Sequence, residues 1–118
     1  MQVKEYKPSS YNLDAYPILF ELENHMRDTI FLNKKYYDPK DIPHVMTFSM
    51  LYLQLQKQYS KGNRAFSHLM LAFIEKSLPI RNKVCHMEEI TEDEFDTLEL
   101  CLKLVRIGIK NRDYKFNK

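Results

Sequence analysis

LPIRNKVCHMEEITEDEF, residues Leu78 to Phe95, holds a proline, an apolar stripe and a helix-start signature. Proline disfavours helical geometry in the residue before it. A helix arriving through Phe66, Leu69, Met70, Phe73 and Ile74 is therefore expected to stop near Leu78. Pro79 suits a first helical turn, and a short new helix is expected from there to about Glu89. At about 100° per residue, Ile80, Val84 and Met87 fall together and turn towards a core. Thr91, followed three residues later by Glu94, matches a capping box. It opens a last helix through Phe95, Leu98, Cys101, Leu102, Val105 and Ile109.

Upstream, Leu19, Leu22, Met26 and Ile30 recur at helical spacing, with Glu21 and Asp28 off the stripe. They predict a helix from about Asp14–Pro17 to Leu32, after an irregular lead-in over residues 1–13. The charged NKKYYDPKDIP, residues 33–43, reads as a loop. Asp41 and Pro43 fit the cap and first turn of a second helix along Val45, Phe48, Leu51 or Tyr52, Leu55 and Tyr59, which SKGN at 60–63 ends. Beyond Gly108 a basic tail, with Lys110, Arg112, Lys115 and Lys118 against Asp113, is expected to fray. No stretch alternates as a strand does. The expected fold class is all-α: an antiparallel bundle of four long helices plus the short one, in a single domain over residues 1–118.

Composition agrees. Two glycines in 118 residues leave few sites for hairpin turns, and 44% hydrophobic residues suffice for a core. A net charge of +2 is too small to demand a nucleic-acid partner by itself. Cys85 and Cys101 have no CxxC spacing and no signal peptide stands at the amino end, so a reduced cytoplasmic protein is expected. No apolar run approaches the roughly 18 residues of a membrane helix, so no membrane partner is expected. His25, His44, His68 and His86 lack metal-ligand spacing, and neither a metal nor another cofactor is expected.

The outer side of the Pro79–Glu89 segment carries chemistry. Arg81 and His86 are five apart, roughly 140° on an ideal helix, whereas Asn82 and His86 share a face. Cys85 between them is a residue type most often buried. Its place on the non-core side suggests a surface that a second copy covers around a two-fold axis. A histidine titrating near neutrality can take a proton from a ribose 2′-OH or give one to a leaving 5′-oxygen. An arginine can hold the phosphate. One histidine cannot easily do both in one turnover, which again favours a symmetric pair.

Arg81, Asn82 and His86, in RNKVCH, resemble the motif of the HEPN superfamily: an arginine and a histidine separated by four to six residues, often with a polar residue after the arginine. That family comprises small all-helical proteins, many of them dimeric, metal-independent ribonucleases of toxin, phage-defence and CRISPR-associated systems. The resemblance spans about residues 14–109. It implies an endoribonuclease acting on RNA as a homodimer, with Arg81 and His86 catalytic and Asn82 orienting. The opening helix, FELENHMRDTIF, is similar to that of the family, and this implies supporting roles for Glu23 and Arg27. An antitoxin or other regulatory protein is an implied partner.

Lys34, Lys35, Tyr36 and Tyr37 combine charge with rings that could guide and stack RNA. The acidic run from Glu88 to Glu99 is a capped helix start and a poor neighbour for phosphate. It fits the alternative reading, a non-catalytic module that binds a nucleotide or protein in a regulatory complex.

Overall fold

The computed structural model describes residues 9–32, 35, 36, 40 and 46–116, with side chains up to residue 111. Among the described residues four α-helices form: α1 (Ser10–Leu32), α2 (Phe48–Ser60), α3 (His68–Cys85) and α4 (Glu92–Phe116). No strand occurs among the described residues. The all-helical bundle is as the periodicity predicts; α1 ends at Leu32, α2 ends at Ser60 and α4 starts after Thr91 as expected, whereas the start of α1, the span of α3 and the end of α4 differ.

The separate short helix does not form. α3 runs straight through Pro79 to Cys85. Proline removes one intrahelical hydrogen bond, here the one that would reach the carbonyl of Glu75. Pro79 and Glu75 are both exposed, so water can serve that carbonyl. Ile74, Ser77, Ile80 and Val84 are all buried, and their packing carries the helix across the break. Met87 is another correction. Expected in the core, it is 89% exposed, because the helix has ended before it. Leu69, also expected inside, faces out; Met70 is buried as expected, and Leu71 is buried beside it.

α1 starts at Ser10, earlier than Asp14–Pro17, because Ser9 caps it: its Oγ accepts from the Asn12 N–H at 3.1 Å. Pro17 is accommodated in the second turn. α4 continues beyond Ile109 to Phe116 and passes through Gly108. A Cβ there would stand 2.7 Å from Met70 Sδ, so the glycine leaves room for the Met70 thioether between α3 and α4. The Thr91–Glu94 capping box forms as predicted: Thr91 N–H donates to Glu94 Oε1 at 3.0 Å, and Glu94 N–H to Thr91 Oγ1 at 3.1 Å. α2 is capped by Thr47. The expected cap at Asp41 with Pro43, and Val45, lie outside the described residues.

The helices do not simply alternate in direction. Tyr11 stacks near Phe95 at 5.6 Å between centroids, and Glu21 pairs with Arg106, so α1 and α4 climb together. Lys83–Glu94 and Met70–Gly108 make α3 and α4 antiparallel, and Tyr59–His68 does the same for α2 and α3. α1, α2 and α4 therefore run one way and α3 runs the other. One core joins them, with Leu22, Met26, Ile30, Phe48, Leu51, Ile74, Val84, Leu98 and Val105 all under 2% exposed.

Candidate functional site

α2 is the shortest helix, and its shortness opens the bundle. The ring of Tyr59 lies by His68, and Gln58 reaches the Ile30 carbonyl at 3.4 Å. Counting back along α2 in this register brings Phe48 level with about Pro79 of α3 and Phe20 of α1. Below that level α3 still offers Arg81, Asn82 and Cys85, and α1 offers Leu13, Tyr16 and Phe20. Among the described residues no helix covers this flank. Phe20 is 73% exposed, and Leu13 and Tyr16 are exposed too.

Arg81 reaches α1 at the edge of the opening, where its Nε lies 3.6 Å from Glu23 Oε1. The Nε is buried and makes no hydrogen bond to any described residue, although both side chains remain about a quarter exposed. Glu23 and Arg81 thus meet, and Arg27 stands one turn further along α1, its Nη1 3.5 Å from Asn24 Oδ1. Cys85, four residues on from Arg81, shares its row and is exposed.

Asn82 and His86 occupy the adjoining row. Both are exposed, and the Asn82 carbonyl accepts the His86 N–H at 3.0 Å. His86 is the C-cap of α3. Its ring makes no hydrogen bond or ion pair with a described residue, and within one chain it is not brought against Arg81. What the two rows form is a shallow, mixed surface: a guanidinium–carboxylate pair on its floor, aromatic rings on the α1 side, and an amide, a thiol and an imidazole on the α3 side.

A buried asparagine sets the height of this end of α3. Asn12 donates through Nδ2 to the Glu88 carbonyl at 2.8 Å, and its Oδ1 accepts the Ile90 N–H at 3.0 Å. The loop that follows His86 is thereby stitched to the first turn of α1. Around it lie the exposed carboxylates Glu88, Glu89, Glu92 and Asp93. Lys83 is held by Glu94 at 2.9 Å, and this contact keeps the Glu94 carboxyl below the usual carboxylate range.

The proposed RNA-guiding cluster is elsewhere. Lys35 lies over the Tyr36 ring at 5.5 Å, and Tyr36 stands beside Gly62, past the C-terminal end of α2 and away from Arg81. Lys34 and Tyr37 lie outside the described residues. Among the described residues, no three His, Cys, Asp or Glu side chains gather as a metal site, and no helix is long and apolar enough to cross a membrane. Asn12, Tyr16 and Phe20 were not singled out in the sequence. Starting α1 too late hid the spacing of Leu13, Tyr16 and Phe20, which forms a second apolar row.

The chain matches no family model, no curated protein and no solved structure.

Proposed function

We propose that the chain is a metal-independent endoribonuclease of HEPN type, working as a homodimer around the open flank of α1 and α3. The reading is carried by one observation: the RNKVCH segment ends α3 beside an uncovered surface, with Arg81 steadied by Glu23 and with Asn82, Cys85 and His86 exposed. A second copy brings a second arginine and histidine to the cleft. One imidazole takes the proton of the ribose 2′-OH as its oxygen attacks phosphorus. The P–O5′ bond breaks, and the partner imidazolium protonates the leaving oxygen. Arg81 holds the phosphate and stabilises its growing charge, Glu23 aligns the guanidinium, Arg27 supports from the next turn of α1, and Asn82 orients the strand. The products are a 2′,3′-cyclic phosphate and a 5′-OH. A toxin–antitoxin or phage-defence setting, in the cytoplasm, suits such an activity.

The test is cleavage of end-labelled RNA in the presence of a chelator. His86→Ala and Arg81→Ala should each lower the rate by at least about a hundredfold, the range expected for general acid–base and charge-stabilising groups. Both variants should keep the wild-type helical spectrum, and a substrate with 2′-deoxyribose at the cut should be inert. Cleavage by both variants at the parent's rate refutes the assignment.

A second reading, a non-catalytic module binding a nucleotide or a protein, is favoured by the acidic rim at Glu88, Glu89, Glu92 and Asp93 and by the pairing of Arg81 within its own chain. It predicts a melting temperature that rises with nucleotide or partner while RNA stays intact.

A further inference from the structure

α4 carries apolar residues on both sides. Leu98 and Val105 face the core and are fully buried. On the opposite side Leu100 is 44% and Ile107 57% exposed, with Leu104 part-exposed between them. The i, i+4, i+7 spacing of these three lays a narrow apolar seam along the outside of the helix. Leu104 packs in part against the chain's own core, while Leu100 and Ile107 stand exposed.

The charges beside the seam are segregated. Its N-terminal end is flanked by Asp96 and its C-terminal end by Lys110, with Lys103 beside the middle, all exposed and without an ion pair to any described residue. Acidic at one end and basic at the other, such a seam is complementary at both ends when turned end for end.

We propose that α4 is a self-association surface, pairing antiparallel with α4 of a second copy about a two-fold axis near residues 103 and 104. Leu100 then meets Ile107 of the other copy twice over, Asp96 comes opposite Lys110 at both ends, and Leu104 and Lys103 sit near the axis, where the two lysines are the one like-charge contact and occur in either direction of pairing. A parallel pairing would set acid against acid and base against base. A partner of one sign along its length would meet repulsion at one end. Charge therefore selects a second copy, and selects its direction.

This surface is separate from the cleft of α1 and α3 and does not rest on the nuclease reading. Turning the chains end for end places the two His86 residues at opposite ends of the α4 pair, so a shared catalytic cleft needs a different face.

The experiment is sedimentation velocity of the full chain across a concentration series, at low and high salt. Ile107→Glu, an exposed position that should leave the helical content unchanged, is expected to weaken self-association at least about tenfold. Asp96→Lys and Lys110→Asp should each weaken it at low salt, and the double reversal should restore it, because both ends regain opposite charges. Equal masses for wild type and Ile107→Glu at every concentration overturn the proposal. So does a double reversal that associates no better than the single ones. Loss of RNA cleavage in Arg81→Ala or His86→Ala with self-association intact would bear on the nuclease reading alone.

Discussion

At the scale of the residue, two helix ends built on one plan invite comparison. After α2, Asn63 N–H bonds to the Gln58 carbonyl at 2.9 Å and Gly62 N–H to the Tyr59 carbonyl at 3.0 Å, with Gly62 at φ +110°. After α3, Glu88 N–H bonds to the Lys83 carbonyl at 2.8 Å and Met87 N–H to the Val84 carbonyl at 3.2 Å, with Met87 at φ +60°. Both are Schellman closures, which favour glycine at the position of positive φ because a Cβ there crowds the following carbonyl. Met87 takes that position with its side chain in solvent, so its conformational cost is not repaid by packing. Met87→Gly should therefore stabilise the fold by about 1 kcal/mol, the left-handed penalty less the extra unfolded-state entropy of glycine. Urea unfolding would register it as a higher midpoint at unchanged slope, and a lower midpoint would mean that the methionine has a contact that its exposure does not reveal. The same residue explains a misreading. Met87 completes an apolar triad with Ile80 and Val84 only if the helix continues, and sequence spacing cannot show that it has already stopped.

Among the elements, the parts of the fold legible in the sequence are those set by periodicity within one helix. The buried rows Leu19–Leu22–Met26–Ile30 and Leu98–Cys101–Leu102–Val105 could be read directly, and so could the Thr91–Glu94 cap. What could not be read depends on neighbours. Pro79 is tolerated because tertiary burial on both sides of it outweighs one lost hydrogen bond. The early start of α1 rests on the local Ser9 cap, and Asn12 then fixes that turn to Glu88 and Ile90, partners far along the chain. The bidentate tie between Glu21 and Arg106, 2.5 and 2.6 Å, is equally remote in sequence. The Arg106 guanidinium holds the Glu21 carboxyl down at about 2, against a usual 4.5. A carboxyl depressed in the folded chain contributes stability above its unfolded value, and that contribution is lost as pH falls through the folded one. Glu21→Gln should thus melt below wild type at pH 7, with the gap closing as pH falls from 4.5 towards about 2. Both groups are solvated, so the gap should be small and should shrink further in about 1 M salt. A gap that is unchanged at pH 2 would assign the effect to packing.

In the whole molecule, the candidate site exists because helices of unequal length share one core. The row Arg81–Cys85 could be read from spacing, whereas its meeting with Glu23 is set by how α1 and α3 pack. The open flank could not be read, since it depends on how far α2 reaches along two helices that the sequence does not place beside it. The two cysteines report on that flank. Cys101 is fully buried against the core, and burial pushes its thiol up to about 11, so it should stay unreactive until the chain unfolds. Cys85 is exposed in the single chain, in the row of Arg81. A thiol reagent should therefore modify one cysteine in the native protein and two in denaturant. If a second copy closes over the flank, the rate at Cys85 should fall at least several-fold as protein concentration rises through the dimer range, because the reagent then reaches only the dissociated fraction. Association through α4 leaves this row uncovered, so Ile107→Glu should not abolish the protection. A Cys85 rate independent of concentration, in a chain shown by mass to associate, would place the contact elsewhere and remove the second histidine that two-step proton transfer requires.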